Sequence, residues 1–251
     1  MGTLTGKRAL ITGGGQGIGY AISGELIDRG CNVAIHYFSS KGGAEEPVRH
    51  AQLKNCRADA IAADLTVESE AINLVSSAAE FLVGIDILVN NTGDLVGRKY
   101  LADVDLSYWQ KVIDINLTSM MLVARQAMVH LAKACGASII NLASLAGRKG
   151  GHPGSLVYSM AKGAVIAWTR ALANELGPNG IRVNAVAPGL ILGTRFHNTY
   201  TTKESADVTI SSIPLRRAGT PEDIARTVAF PASEYDGFIN GAIIDVNGGV
   251  Y

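Results

Sequence analysis

Tyr158 and Lys162 are four residues apart in a segment with helical periodicity, so both side chains fall on one face of that helix. A nearby ammonium group stabilises a phenolate, and we expect Lys162 to lower the pKa of Tyr158 from about 10 towards neutral pH. A phenol of that kind can exchange a proton with a carbonyl oxygen. The same spacing occurs at Tyr37 and Lys41, but that pair follows a predicted strand. We therefore predict that Tyr158 and Lys162 are the acid/base pair.

Two further polar side chains are candidates for the same site. Ser144 follows the fifth predicted strand, and the carboxyl ends of parallel strands commonly form binding sites. Its hydroxyl could donate a hydrogen bond to a substrate oxygen on which charge develops. Asn116 lies in the long predicted helix before that strand. Each residue alone has a structural explanation, but the two together with the Tyr158–Lys162 pair predict a catalytic set.

A glycine-rich segment connects the first predicted strand to the first predicted helix. Residues 12–19 read TGGGQGIG, a G-x-x-x-G-x-G spacing rather than G-x-G-x-x-G. Glycines at this place let the backbone turn sharply and approach a pyrophosphate, whose charge is stabilised by free N–H groups at the helix N-terminus. We predict that this segment binds a dinucleotide through Gly13, Gln16, Gly17, Ile18 and Gly19.

The end of the second predicted strand bears on which dinucleotide is bound. Sites that prefer NAD usually have an acidic side chain there for the ribose 2′-hydroxyl, whereas this chain has Tyr37, Ser39, Ser40 and Lys41. The first acidic residues, at 45 and 46, come too late. Two hydroxyls and a lysine can hold a 2′-phosphate, so the sequence favours NADP(H), with NAD(H) possible.

Short apolar runs alternate with helix-period segments along nearly the whole chain. The predicted strands are 8–11, 32–36, 58–62, 85–89, 138–142, 182–187 and 242–246, and the predicted helices are 17–29, 45–54, 67–81, 106–134, 156–176 and 221–233. This alternation predicts an α/β fold, a doubly wound parallel sheet of about seven strands with helices on both faces. No linker divides residues 1–251, which we expect to form a single domain. Residues 190–213 lack clear periodicity and are predicted to be a loop acting as a lid. Thr220 and Pro221 predict an N-cap and a first helical residue.

Composition excludes several classes of function. The formal net charge is +0, with 47% hydrophobic and 18% charged residues, so neither nucleic acid nor a membrane surface is an expected partner. No apolar run is long enough to cross a bilayer, and the start lacks the apolar core of a signal peptide. Cys31, Cys56 and Cys135 are too few and too widely spaced for a disulfide framework or a metal motif. We expect a cytoplasmic protein with no metal site.

These motifs together resemble the short-chain dehydrogenase/reductase family over essentially the whole length. The matching residues are Thr12-Gly13-x-x-x-Gly17-x-Gly19, Asp64, Asn90-Asn91-x-Gly93, Asn116, Ser144, Tyr158 with Lys162, and Pro188-Gly189. The resemblance implies a Rossmann-type fold, with Tyr158 as general acid/base, Lys162 holding the nicotinamide ribose, Ser144 orienting the carbonyl and Asn116 supporting a proton-relay water. It places Asp64, Leu65, Asn91, Gly93, Pro188, Gly189 and Ile191 at the cofactor. It also implies a homotetramer.

The sequence departs from the family pattern at four positions. Thr92 replaces the usual alanine beside the cofactor, and Gln16 stands where NADP-using relatives often have arginine. Thr194 comes one residue later than usual, which leaves its role open. Pro231 falls inside the last predicted helix, where it should kink or shorten that helix.

Basic side chains cluster in the segments that should surround the substrate. Arg98, Arg148, Arg195 and His197 are the candidates, and they predict a substrate with an anionic group held by charge-assisted hydrogen bonds. Solvated loop charges are the other explanation. The substrate expected is a small polar or anionic carbonyl compound, and the chain also looks like reductases of keto-uronates. The alternatives are a 3-oxoacyl-thioester reductase acting on an acyl carrier protein and a non-catalytic cofactor-binding subunit.

Overall fold

The computed structural model describes residues 4–233 and 237–250. Within them, seven parallel strands form a sheet in the order β3-β2-β1-β4-β5-β6-β7. The strands are β1 (Arg8–Ile11), β2 (Asn32–Tyr37), β3 (Ala58–Ala62), β4 (Ile87–Asn90), β5 (Ser138–Leu142), β6 (Arg182–Pro188) and β7 (Ile243–Val246). The doubly wound α/β sheet predicted from the sequence is confirmed.

Helices connect successive strands and cover both faces of the sheet. They are α1 (Gly17–Asp28), α2 (Lys41–Leu53), α3 (Glu68–Leu82), α4 (Leu106–Ile113), α5 (Ser119–Leu131), α6 (Leu145–Lys149), α7 (Leu156–Leu176), α8 (Arg195–Tyr200), α9 (Lys203–Ser212) and α10 (Pro221–Ala232). Within β1, Leu10 packs into the core under α3, α5 and α7, whereas Ala9 and Ile11 pack under α1, α2 and α10. Side chains alternate across a strand, so each buried strand is apolar on both faces.

The order of the strands reverses at β1, which pairs with β2 on one side and β4 on the other. The loops after β1 and β4 therefore leave the carboxyl edge of the sheet in opposite directions. A crevice opens between these two loops. In open α/β sheets this is the usual place for a ligand.

The helix predicted at 106–134 is interrupted. α4 and α5 are joined by the π-helical turn Asp114–Thr118, which contains Asn116. A π turn adds a residue to the helical repeat and changes the direction of the side chains that follow, and such turns are frequent at functional sites. Hydrophobic periodicity does not reveal it because the apolar residues continue through the turn.

The segment 190–213 differs from the predicted loop because it contains two helices. α8 begins after Thr194, whose hydroxyl accepts from the His197 N–H at 3.3 Å, and α9 begins after Thr202, whose hydroxyl accepts from Ser205 N–H at 3.2 Å. Both threonines are N-caps. α9 buries one residue, Ala206, so it has too narrow an apolar stripe for the periodicity to be recognised.

The start of α10 agrees with its sequence signals, whereas the start of α2 does not. Thr220 forms a capping box with Asp223 at the start of α10. Pro231 lies inside α10, which continues through it and ends at the next residue, Ala232. The helix predicted at 45–54 begins earlier, at Lys41. The two glycines that follow Lys41 concealed this start because glycine is a poor helix former.

One helical stretch, Leu106–Leu131, is long and apolar enough to cross a bilayer by length and composition alone, which the sequence analysis did not anticipate. Of its most apolar window, 44% is buried inside the protein. Val112, Val123 and Leu131 are fully buried in packed clusters. Core helices commonly meet the same criterion, and the stretch contributes to the core here.

Candidate active site

A cavity of about 1400 Å³ opens at the carboxyl edge of the sheet. Its wall includes the glycine loop after β1, the segments after β2, β4, β5 and β6, and parts of α8 and α9. Single small ligands usually occupy 300–1,000 Å³. The cavity therefore has room for a dinucleotide together with a small substrate.

The glycine loop is fixed by a buried histidine that the sequence analysis did not identify. The Gly13 N–H donates to His36 Nδ1 at 2.9 Å, and His36 Nε2 lies 3.0 Å from the carbonyl oxygen of Ala63. Nδ1 is therefore the acceptor, and the ring proton is on Nε2. Burial lowers the pKa of His36, so the ring is neutral at physiological pH and joins β1, β2 and β3 at the edge of the cavity.

Close packing at this edge requires glycine. The Asn91 Nδ2 group donates to the carbonyl oxygens of Thr12 and Gly13 at 3.0 and 2.9 Å. A Cβ at Gly19 would lie 2.1 Å from the Gly13 oxygen, so the first turn of α1 can approach the loop only without a side chain. α1 has no side-chain N-cap, and its first N–H groups face the cavity as a site for a pyrophosphate. These residues fit a dinucleotide.

Tyr158 and Ser144 are in contact in the inner part of the cavity. Ser144 is the N-cap of α6, and its Oγ accepts from the Ala146 N–H at 3.1 Å. The same hydroxyl lies close enough to the side chain of Tyr158 to lower the pKa of its phenol. Both residues line the cavity. The predicted proximity of a serine at the end of β5 and a tyrosine in α7 is therefore present in the structure.

Lys162 is buried one turn further along α7. Its Nζ donates to the carbonyl oxygen of Leu142 at 2.7 Å and lies 5.8 Å from the centre of the Tyr158 ring. A Cβ at Gly93 would lie 3.0 Å from this Nζ and 2.8 Å from Asn116 Oδ1. Gly93 therefore packs against both Lys162 and Asn116, and a side chain there would crowd them.

Asn116 lies in the π turn with its side chain buried. Its Nδ2 donates to the carbonyl oxygens of Asp94 and Val112 at 2.8 and 2.9 Å, while Oδ1 has no hydrogen-bond partner among the residues that the structure describes. A buried acceptor without a partner costs free energy, about 1–3 kcal/mol. A water between Oδ1 and Lys162 would satisfy it, consistent with the relay that the sequence predicted.

The expected lowering of the Tyr158 pKa is not found. Loss of hydration deep in the cavity raises the pKa of Tyr158 to about 12, while the nearby hydroxyl of Ser144 lowers it and the negative charge of Asp94 raises it. Burial also lowers the pKa of Lys162 to about 8. Because the ammonium group is bound to Leu142 rather than to the phenol oxygen, Lys162 does not reverse the effect of burial.

The remaining residues predicted at the cofactor also border this cavity. They are Gln16, Gly17, Ile18, Tyr37, Ser39, Ser40, Asp64, Leu65, Pro188, Gly189 and Ile191. Asp64 accepts hydrogen bonds from the N–H and hydroxyl of Thr66 at 2.9 and 2.6 Å. Phe38, which the sequence analysis did not select, also lines the cavity and is 70% exposed.

Comparison with known proteins agrees with this geometry. A family model described as enoyl-(acyl carrier protein) reductase matches residues 13–251. A 3-oxoacyl-(acyl-carrier-protein) reductase of Staphylococcus epidermidis is 36% identical, covering 98% of this chain and 99% of that protein. A short-chain dehydrogenase from Burkholderia cenocepacia in complex with NADP superposes with a TM-score of 0.91 and 34% identity over 98% of each chain.

The chain belongs to the short-chain dehydrogenase/reductase family. Another solved member, an NADH-dependent reductase responsible for alginate metabolism, is 32% identical, with a TM-score of 0.89 over 98% of this chain and 97% of that one. The protein is therefore a short-chain oxidoreductase with a Rossmann-type fold.

The four predicted substrate residues of this short-chain dehydrogenase/reductase are not equivalent. Arg98, Arg195 and His197 line the cavity. Arg148 does not: it forms an ion pair with Asp245 at 3.0 Å and donates to the carbonyl oxygen of Ile243 at 3.1 Å. The next residue, Lys149, lines the cavity instead, because one residue along α6 turns the side chain by about 100°.

His197 differs from the expectation of a basic group. Burial, together with the positive charges of His152 and Arg98, lowers its pKa to about 4. Its Nδ1 lies 2.9 Å from the hydroxyl of Thr201. His197 is therefore a neutral hydrogen-bonding group at physiological pH.

Thr194, whose role the sequence left open, is buried as the N-cap of α8 and donates to the carbonyl oxygen of Ile191 at 3.2 Å. A Cβ at Gly17 would lie 3.4 Å from its side chain. In this short-chain dehydrogenase/reductase, Thr194 thus joins the start of α8 to the glycine loop.

Two residues near Tyr158 were missed by the sequence analysis. Phe196 in α8 packs on the Tyr158 ring with centroids 5.6 Å apart and on Tyr200 at 5.4 Å. Asp94 lines the cavity and lies near the phenol of Tyr200. Its position directly after the Asn-Asn-Thr-Gly run was a usable signal, whereas no sequence pattern placed Phe196.

Proposed function

We propose that this protein is an NADP(H)-using reductase/dehydrogenase that interconverts a ketone and a secondary alcohol, with Tyr158 as the acid/base. The observation that carries the proposal is that the side chains of Tyr158 and Ser144 lie side by side in a cavity of dinucleotide size. A carbonyl oxygen between these two hydroxyls would receive hydrogen bonds from both. General acids positioned in this way contribute about 10²–10⁴-fold to a rate.

Each polar side chain of the set has a separate task. In the reducing direction Tyr158 Oη gives its proton to the substrate oxygen while Ser144 Oγ holds that oxygen in place. Lys162 has two N–H donors left beside its bond to Leu142, and these would hold the ribose hydroxyls of a bound cofactor and a relay water at Asn116. The nicotinamide, when bound, supplies or accepts the hydride. In the oxidising direction Tyr158 must first lose its proton.

Preference for NADP(H) is supported by the residues after β2. Ser39 and Ser40 line the cavity, and no acidic side chain follows Tyr37 directly. The Burkholderia cenocepacia relative was solved with NADP. The alginate-metabolism relative is NADH-dependent, so NAD(H) is the alternative. Fluorescence titration with NADPH and NADH in parallel distinguishes the two, and tighter binding of NADH would refute the preference.

A small anionic carbonyl compound such as a keto-uronate is the proposed substrate. Arg98, Lys149 and Arg195 line the cavity, and none of them has an ion-pair partner within 4.0 Å among residues 4–233 and 237–250. Unpaired cations in a concave site attract anions. Alginate is a polymer of uronic acids, and a reductase of its metabolism is among the structural relatives.

Matched variants test the anionic substrate. Arg98→Gln and Lys149→Gln should each raise KM for a keto-uronate about tenfold, since a charge-assisted hydrogen bond contributes about 1.5–3 kcal/mol, and should change KM for a neutral ketone little. Arg148→Gln is the control because that cation lies outside the cavity. Equal effects of all three variants, or no effect on the keto-uronate, would exclude this substrate class.

Reduction of a 3-oxoacyl thioester is the second candidate. It is favoured by the 36% identity with the Staphylococcus epidermidis 3-oxoacyl-(acyl-carrier-protein) reductase. Turnover of acetoacetyl thioesters in preference to keto-uronates would establish it. Nucleotide binding with no turnover of keto-uronates, thioesters or simple ketones would instead support a non-catalytic subunit.

We also propose a cytoplasmic homotetramer. β7 is an edge strand with Ile243 and Ile244 only partly buried, and the exposed Leu106 and Trp109 of α4 add apolar surface. The three cysteines are free thiols, as a reducing compartment would keep them. Sedimentation equilibrium measures the oligomeric state, and a monomer at micromolar concentration would contradict the proposal.

A further inference from the structure

Asp94 places a carboxylate in the cavity next to the proposed acid/base. The residue before it, Gly93, lies against Lys162 and Asn116, and Asn116 Nδ2 donates to the Asp94 main-chain oxygen at 2.8 Å. Residue 94 is therefore fixed beside the catalytic set by the backbone. Its side chain lines the cavity, and its charge acts on both Tyr158 and Tyr200.

The hydrogen bonds of this carboxylate are incomplete. Asp94 Oδ1 accepts from the Val96 N–H at 3.2 Å. The Tyr200 phenol lies near the carboxylate, and burial together with Asp94 raises the pKa of that phenol. No lysine or arginine in the described part of the chain lies within ion-pair distance of it. A carboxylate has about four acceptor positions, so acceptor capacity remains towards the cavity.

We propose that Asp94 is a specificity-determining residue that selects carbonyl compounds with a hydroxyl group close to the reacting carbon. A hydroxyl there donates to the carboxylate in a charge-assisted hydrogen bond. A methylene group at the same place removes water from the carboxylate and returns no hydrogen bond, which is unfavourable. Unsubstituted acyl chains are therefore disfavoured. This inference rests on the proposed function, since it concerns the same site.

Other residues that line the cavity are suited to the same substrate. Phe196 packs between the rings of Tyr158 and Tyr200, so the apolar side of the site is already occupied by aromatic groups. The cations Arg98 and Arg195 lie in the same cavity. A hydroxylated chain with an acidic group can place its hydroxyl at Asp94 and its anion at the cations, whereas a purely apolar chain satisfies neither.

A pair of small neutral ketones tests the proposal, because neither contains the anionic group proposed for the substrate. 1-Hydroxy-2-butanone and 3-pentanone differ by a hydroxyl in place of a methyl group. The protein should prefer the hydroxyketone in kcat/KM, and Asp94→Leu should lower that preference about 10- to 100-fold, the range for a lost hydrogen bond to a charged group. Asp94→Asn should lower it less. Where a ketone is not turned over, the ratio of the two inhibition constants, or of the affinities measured by quenching of bound-nucleotide fluorescence, gives the preference in binding.

A second variant separates substrate contact from an indirect effect through α8. Tyr200→Phe removes the phenol hydroxyl near Asp94 but leaves the carboxylate, so the preference for the hydroxyketone should persist. If Tyr200→Phe abolishes the preference as Asp94→Leu does, Asp94 acts by positioning α8, and the proposal is wrong. It is also wrong if the unmodified protein shows no hydroxyl preference by turnover or by binding. Because both ketones are neutral, a failure of the keto-uronate proposal leaves this result unchanged.

Discussion

The Nζ of Lys162 donates to the main-chain oxygen of Leu142 at 2.7 Å. This bond ties the middle of α7 to the carboxyl end of β5, two residues before Ser144. The lysine is therefore held in place by the fold before any ligand is bound. Burial without an anionic partner lowers its pKa to about 8, so the site would gain from a ligand that accepts hydrogen bonds from this amine.

Removal of the Tyr158 hydroxyl should lower kcat while leaving nucleotide affinity nearly unchanged. Tyr158→Phe keeps the ring that packs on Phe196 but leaves no acid for the substrate oxygen, so kcat should fall about 10²–10⁴-fold or more. Nucleotide affinity, measured by fluorescence titration, should change less than threefold, or about 0.6 kcal/mol. Tyr20→Phe, on the outer side of α1, is the control and should be fully active. Full activity in Tyr158→Phe would refute the proposed mechanism.

The clustering of Tyr158, Lys162 and Ser144 at one cavity could be predicted from the sequence because each residue has a local signal. Tyr158 and Lys162 have helical spacing, and Ser144 follows an apolar strand. The raised pKa of Tyr158 could not be predicted, because it depends on burial and on Asp94. Asp94 lies 64 residues (158 − 94) before Tyr158 in the chain.

A methyl group at Gly93 should damage the site although it adds only one carbon. In Gly93→Ala the new Cβ would lie 2.8 Å from Asn116 Oδ1 and 3.0 Å from Lys162 Nζ, closer than normal van der Waals contact. Lys162 must move, so nucleotide affinity and kcat/KM should each fall at least about tenfold, or 1.4 kcal/mol.

Gly97→Ala is the matched control for that substitution. A Cβ at Gly97 meets no atom within 4 Å, and the residue does not need a positive φ. This variant should bind nucleotide as the unmodified protein does. If both alanine variants lose affinity equally, flexibility of the 93–97 loop rather than crowding at Lys162 is the cause.

The pH dependence of alcohol oxidation should respond to Ser144. The nearby hydroxyl of Ser144 lowers the pKa of Tyr158, so Ser144→Ala should raise that pKa further. Oxidation requires the phenolate, hence the rate at a given alkaline pH should fall and the rising limb of the pH–rate profile should move to higher pH. Ser144→Thr restores a hydroxyl and should return the limb towards its original position. A limb that moves to lower pH in Ser144→Ala would contradict this assignment.

The parts of the site that sequence reasoning misplaced depend on helix phase and on packing between distant segments. Arg148 and Lys149 are adjacent and both basic, yet α6 directs the first to Asp245 on β7 and the second to the cavity. Phe196 reaches Tyr158 because Thr194 starts α8 beside the glycine loop. No sequence pattern within either segment predicts these arrangements, so they could be found only from the structure.

Stability should depend on pH through His36. Burial lowers the pKa of this histidine below its ordinary 6.5, so between pH 6.5 and the lowered value the unfolded chain binds a proton that the folded protein does not. The contribution of His36 to stability is therefore complete above pH 6.5 and decreases as the pH falls below it. The cause is structural: a proton on Nδ1 would oppose the Gly13 N–H that now donates to it at 2.9 Å.

His36→Asn tests this dependence because its Oδ1 can still accept from Gly13 while the side chain no longer titrates. At pH 7.5 the variant should be less stable by about 1–3 kcal/mol, since the carbonyl oxygen of Ala63 loses its buried partner. The difference in the free energy of unfolding should narrow between pH 7.5 and pH 5, because only the unmodified protein loses the histidine contribution. Urea unfolding of both proteins at the two pH values measures it. A difference that stays constant would mean that His36 does not change its charge on unfolding in this range.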